Sequence, residues 1–174
     1  MSEELVDIVN EQGEVVDTVP RHVMRSQRLP HRSTYVAFLN SDSRFLVEIR
    51  TLQKDYAPGR FDACVGGVVG HGESPEDGAR REFEEEIGVS AGAVEFHDLG
   101  SMNVPRKSGS FFVACMFLAR GDSITVRQAS ELSGIMYLTY EEIMALEDDF
   151  TSDSIIALKE ILRRAEGRNL LKKP

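Results

Sequence analysis

The segment from Gly67 to Val89, GVVGHGESPEDGARREFEEEIGV, constrains the chain most, because it specifies one helix and loads one face of it with like charge. Ser74 is a good N-cap, Pro75 suits the first helical position, and Asp77 stands at N3. The spacing predicts a helix from Pro75 to about Ile87, with Gly88 leaving it in a left-handed turn. On that helix Glu82, Glu85 and Glu86 stand at i, i+3 and i+4, so three carboxylates share a face. Glu84 is rotated away and is expected in solvent. Carboxylates this close repel, and a hard cation such as Mg²⁺ or Mn²⁺ relieves the repulsion. Arg81, four residues before Glu85, can hold a carboxylate in place, and Glu73, just before the helix, can pair with Arg81. Gly66-Gly67 lets the backbone approach the same point, where a glycine carbonyl is a further candidate ligand. For an isolated run of glutamates, the competing reading is a solvated acidic face.

Around this helix the pattern is mostly strands. Leu5 to Val9 and Glu14 to Val19 flank Glu11-Gln12-Gly13, which predicts a hairpin. Pro20 opens a short helix from Arg21 to Gln27, and Pro30 closes that stretch. Thr34 to Leu39, Phe45 to Ile49, Phe61 to Val69 with an interruption at Gly66-Gly67, Val94 to Met102, Ser110 to Leu118 and Gly134 to Leu138 read as further strands. Thr139-Tyr140-Glu141-Glu142 is a capping box for a short helix. Thr151 is expected to cap a last helix that puts Ile155, Leu158, Ile161, Leu162 and Ala165 on one face and stops near Gly167. The tail Lys172-Lys173-Pro174 is expected to fray. A mixed sheet with helices on both faces fits this order, although the pattern alone leaves the topology open.

The size, 174 residues, suits a single domain. A formal net charge of −9 argues against a nucleic-acid polymer as partner, which needs clustered Lys and Arg. It leaves room for a small phosphorylated substrate, because a metal can neutralise both the site and the phosphates. Cys64 and Cys115 lie in apolar runs and read as small buried hydrophobes, not as a disulfide framework. The start Met1-Ser2-Glu3-Glu4 lacks the apolar core of a signal peptide, and no apolar run nears the length of a membrane span. A cytoplasmic protein is expected.

Counted from Gly67, the segment runs five residues to Glu73, seven more to Arg81, then Arg81-Glu82-Phe83-Glu84-Glu85-Glu86-Ile87-Gly88-Val89. This resembles the Nudix box at every fixed polar and glycine position, a coincidence of about one in 10⁸ per start point at average residue usage. The soft departure is Phe83, where the hydrophobic position is usually aliphatic. The resemblance implies an α/β fold, the Nudix α/β/α sandwich with a mixed sheet, here with an N-terminal β-hairpin added. Residues 1–30 would form the hairpin and short helix packed on the core, 31–166 the Nudix domain and 167–174 a tail. It also implies a hydrolase that cleaves a phosphoanhydride bond in a nucleoside diphosphate derivative or a related diphosphate. Glu82, Glu85 and Glu86 would bind Mg²⁺ or Mn²⁺ with the Gly66 carbonyl, and one of them or a later glutamate would deprotonate the attacking water. Arg81 would position them, and Gly67, Glu73 and Gly88 would shape the motif. Glu131 sits where many family members place another carboxylate. The implied partner is a small-molecule diphosphate, with no membrane, and a homodimer stays open.

A second resemblance lies outside the box. Asp7-Ile8-Val9-Asn10, Gly13-Glu14-Val15, His31-Arg32-Ser33-Thr34-Tyr35 and Arg50-x3-Lys54-x3-Pro58-Gly59 are similar to the isopentenyl-diphosphate isomerase branch of the superfamily and its hydrolase relatives. By that resemblance Arg50 and Lys54 bind the substrate diphosphate, the alternative being two solvated charges. His31 matches a metal-ligand position of the isomerases, and a structural histidine is the alternative. The isomerase cysteine and histidine are absent: their positions hold Val65 and Gly67. Cys64 is one residue off and points to the other face of a strand. The intact box and the missing cysteine favour hydrolysis over isomerisation. A module that binds without turnover is the remaining alternative.

Overall fold

Asn40 makes the turn between the first two strands of the main sheet by accepting hydrogen bonds on Oδ1 from Asp42 and Arg44 N–H groups. Those strands are β3 (Arg32–Leu39) and β4 (Phe45–Arg50), in a computed structural model that describes residues 4–54 and 56–171. The expected fraying of Lys172-Lys173-Pro174 lies outside the described residues. Before them come β1 (Leu5–Val9), β2 (Val15–Pro20) and α1 (Arg21–Gln27). After them come β5 (Phe61–Asp62), α2 (Pro75–Ile87), β6 (Glu95–Pro105), β7 (Phe111–Arg120) and β8 (Leu132–Leu138). Helices α3 (Tyr140–Ala145) and α4 (Ser152–Gly167) complete the chain.

The main sheet runs β5-β4-β3-β7-β6, with β8 also on β4, and is mixed because β3 and β7 are parallel. The two longest helices, α2 and α4, cover opposite faces of it. Val36, Phe38, Leu46 and Phe117 pack with Phe83 and Ile87 of α2. Tyr35, Ala37, Phe45 and Val47 pack on the other side with Ile155, Leu158, Ile161 and Ala165 of α4. The alternation of β3 thus feeds two layers, and the α/β/α sandwich follows. Leu162 of the predicted α4 face is only partly buried against the same cluster. Phe83 is fully buried and meets Phe38 edge-on at 5.2 Å, so the aromatic at the motif's hydrophobic position faces the core as expected. Cutting it to alanine would cost about 3–5 kcal/mol.

The hairpin β1–β2 forms where expected, and Val6, Ile8 and Met24 pack with Val68 of the loop before α2. The N-terminal unit therefore rests on the loop that leads into the acidic helix. Three expectations change. The strand predicted from Phe61 to Val69, with its break at Gly66-Gly67, is regular only over Phe61–Asp62; beyond it, Val65 and Val68 make isolated bridges to Val36 and Ser33 on either side of the glycines. The reason is close approach: a Cβ on Gly66 would overlap the Thr34 carbonyl, so the segment presses onto β3 too tightly for a continued ladder. Second, β6 and β7 run on to Pro105 and Arg120, past the predicted Met102 and Leu118 ends. Third, Thr151 occupies the N-cap position of α4 but makes no capping bond. Its hydroxyl is instead spent on Asp62 and Ser154.

β3 and β4 pair only at Leu39 and Phe45, then splay. The splayed ends and the segment between them open a cavity of about 420 Å³ beside Gly66 and Gly67.

Candidate active site

Helix α2 is held as its sequence requires. Ser74 Oγ accepts from Asp77 N at 3.1 Å, and Gly88 ends the helix with φ 67°. Arg81 then gathers the motif. Its Nε and Nη2 donate to the two oxygens of Glu73 at 2.8 and 3.1 Å, and Nη1 donates to Glu82 at 2.8 Å and Glu85 at 3.2 Å. Glu73 also accepts from Gly70 N, so the entering loop is tied to the helix through one guanidinium. These hydrogen bonds hold the Glu73 carboxyl below its usual range, whereas burial pushes Glu82 up.

The three carboxylates differ in surroundings. Glu85 is exposed, Glu82 is largely covered, and Glu86 is buried at 5% exposure. A Cβ on Gly67 would overlap the Glu82 carboxylate, so only glycine lets the loop lie against it. The Gly67 carbonyl accepts from Thr34 N at 2.8 Å, while among the described residues no hydrogen bond ends on the Gly66 carbonyl. Burial raises the Glu86 pKa to about 7 against the pull of Lys54, whose Nζ donates to Glu86 Oε1 at 3.4 Å. Glu86 Oε2 is buried without a partner. Lys54 also pairs with Glu131, which it holds below the usual range. Glu131 and Lys54 thus stand beside Glu86, together with the helix face that the motif spacing predicted.

Among the described residues no three acidic, histidine or cysteine side chains already converge as a cage for a metal. Arg81 and Lys54 stand between the carboxylates and neutralise them. The donor set still fits a hard divalent cation: it is all oxygen, and one buried carboxylate oxygen has no protein partner.

Arg50 is tied up in the fold. Nη1 donates to Asp62 at 2.6 Å, Nη2 to the Tyr56 carbonyl at 2.7 Å, and Nε to the Tyr56 and Ala57 carbonyls. His31 is buried and its Nδ1 donates to the Leu29 carbonyl at 2.8 Å; the charges acting on its ring are those of Arg106, Arg21 and Arg25. Glu84, expected in solvent, is exposed but accepts from Ser90 Oγ and Ala91 N, so it closes the turn after α2. Cys64 packs on the α4 side and Val65 on the α2 side, as the one-residue offset requires. Burial pushes the Cys64 thiol well above its usual range, although the residue also borders the cavity. Cys115 is buried too, with its thiol raised to about 11.

Sequence reading missed the cavity's second wall. Asp153, in the first turn of α4, accepts from Tyr35 at 2.8 Å and from Tyr56 at 2.9 Å. Arg21 of α1 reaches the same cavity. No local signal marks these residues, because they meet only after the sheet has formed. Glu48, fully buried on β4, was missed for the same reason.

A mixed sheet between helices, with an acidic helix face entered through a glycine loop, is the architecture of the Nudix hydrolases. Residues 29–159 match the NUDIX domain family, and the chain belongs to that family of enzymes that hydrolyse phosphoanhydride bonds. It is 40% identical over 163 residues to the uncharacterized Nudix hydrolase YfcD of Shigella flexneri, covering 94% of this chain and 89% of that one. It is 32% identical over 160 residues to the uncharacterized Nudix hydrolase PA4841 of Pseudomonas aeruginosa, covering 90% and 92%. The crystal structure of DR0079 from Deinococcus radiodurans superposes with a TM-score of 0.76 at 28% identity, covering 90% of this chain and 98% of that one. No described helix is long and apolar enough to cross a membrane.

Proposed function

We propose that this chain is a metal-dependent pyrophosphohydrolase that cleaves the phosphoanhydride bond of a nucleoside diphosphate derivative or a related small diphosphate. The observation that carries this reading is the acidic face of α2, with the buried, unpartnered Oε2 of Glu86 beside a glycine loop and a cavity. Glu82, Glu85 and Glu86, with the Gly66 carbonyl, are the groups that would hold Mg²⁺ or Mn²⁺. When bound, such an ion neutralises phosphate oxygens and lowers the pKa of a water. Arg81 keeps Glu82 and Glu85 oriented and holds the entry loop to the helix through Glu73. Glu131 or one of the helix glutamates takes the proton of the water that attacks phosphorus; the anhydride oxygen leaves with the other phosphate. Lys54 is the cation placed to exchange a carboxylate for a substrate phosphate, and Arg50 shapes the loop that presents it. The second wall of Tyr35, Tyr56 and Asp153 supports an organic group beyond the diphosphate, which aromatic faces and a carboxylate can bind.

A panel of nucleoside diphosphate derivatives, assayed by released products, tests this. Turnover is expected with Mg²⁺ or Mn²⁺ and none after chelation. Full turnover in chelator, with no metal carried over, refutes the mechanism; ligand binding without turnover across the panel makes the chain a binding module.

A further inference from the structure

Glu48 has no role in the motif, yet it is a carboxylate buried in the sheet with an oxygen that no described residue serves. It sits in the middle of β4, 2% exposed, and its Oε1 is buried with no hydrogen-bond partner. On that strand it falls two residues after Leu46, which packs in the cluster under α2, so its side chain projects toward the acidic helix. Its partners across the sheet are Asp62 on β5 and Ile135 on β8; one adds a further carboxylate and the other is apolar. The charge that acts on it most strongly is that of Glu86. Glu86 in turn carries a buried, unpartnered Oε2.

Two carboxylates, one projecting from the sheet toward α2 and one from α2 itself, therefore each leave a buried oxygen unserved on the same side of the sheet. The nearby cations do not complete either. Lys54 reaches only Oε1 of Glu86, at 3.4 Å, and Arg50 is committed to Asp62 and two backbone carbonyls. A buried acceptor without a donor is rare in a native fold and calls for a missing partner. Burial and neighbouring carboxylates push both carboxyls up, so each favours a proton over its charge unless a cation serves both, and a hard divalent ion does so.

We infer that Glu48 is a further oxygen ligand of the divalent-cation site, reaching it from β4 while Glu86 reaches it from α2. This rests on the metal-dependent reading of the site above. It adds to the acidic helix face a ligand that lies far outside the motif and that anchors the ion to the sheet.

The test is Mn²⁺ binding to the full chain by calorimetric titration, with melting curves of the metal-free proteins. Glu48→Gln keeps the shape and removes the charge. It is expected to weaken Mn²⁺ binding roughly 10–100-fold, without lowering the metal-free melting temperature, because it relieves repulsion with Glu86. Glu84→Gln, which closes a turn on the exposed side of α2, should bind Mn²⁺ like the wild type. Unchanged Mn²⁺ affinity in Glu48→Gln, with normal binding by the wild type, overturns the inference and leaves the metal reading standing. No Mn²⁺ binding by the wild type removes both. A lower metal-free melting temperature with unchanged affinity assigns Glu48 to the fold alone and equally overturns it. If Glu48→Gln does not fold, Glu48→Asp keeps the charge one methylene short: weaker Mn²⁺ binding supports the inference, and wild-type affinity overturns it.

Discussion

Neighbouring glutamates on one helix have separate duties, decided by which way each turns. Glu86 is buried against Lys54, Glu85 is exposed and held by Arg81, and Glu84 closes the turn at Ser90 and Ala91. Glu86→Gln is expected to lower kcat by orders of magnitude while the fold persists. Glu84→Gln should leave kcat near that of the wild type. Steady-state kinetics on the two variants decides it, and equal losses would mean that the active face is wrongly placed. Gly67→Ala is a steric version of the same test. The added methyl meets the Glu82 carboxylate and must displace it, so the concentration of Mg²⁺ needed for half-maximal rate should rise. An unchanged Mg²⁺ requirement would show that Glu82 is not needed where it stands. The motif was legible at this scale because its spacing is set within single helical turns.

At the scale of elements, the end of β4 and the loop after it decide how cations meet the site. Arg50 ties residues 56 and 57 to the strand and makes a largely buried ion pair with Asp62. Removing one partner of such a pair costs about 3–5 kcal/mol, so Arg50→Ala should lower the melting temperature markedly and expose the following loop to proteases. Lys54→Ala should instead keep the melting temperature and raise KM more than it lowers kcat, as loss of ground-state phosphate binding does. An unaltered KM would return Lys54 to a purely internal role with Glu86 and Glu131. The sequence placed both cations on a strand end by resemblance alone. What separates them, Arg50 committed to Asp62 and the loop carbonyls and Lys54 to Glu86 and Glu131, depends on how the loop folds back, which no four-residue spacing encodes.

Over the whole molecule, the N-terminal unit is joined to the domain around His31, whose ring donates to Leu29 and is faced by Arg106, Arg21 and Arg25. Burial, with these three cations adding to it, lowers its pKa from 6.5 to about 4. The unfolded chain therefore takes up a proton at higher pH than the folded one. The stability linked to His31 is complete above pH 6.5 and is lost as pH falls toward 4, up to about 3 kcal/mol in all. Urea titrations across this window should show less pH dependence in His31→Asn, whose amide can still donate to Leu29. The same slope in both proteins would place the titration elsewhere.

The sequence by itself determined the acidic helix, its caps, the N-terminal hairpin and the family. Each of these is written in neighbours one to seven residues apart or in a contiguous motif, and bonds within a turn or the pleat of a strand enforce it. The tertiary structure alone decided which carboxylate is buried, that β5 ends at Asp62, ahead of the glycine break, and that Asp153 joins Tyr35 across 118 positions. It also turned the buried Glu48 toward the α2 side of the sheet. Burial and pairing of this kind depend on which surfaces meet once the sheet has closed between its helices, and residues so far apart in the chain share no local geometry from which their meeting could be read.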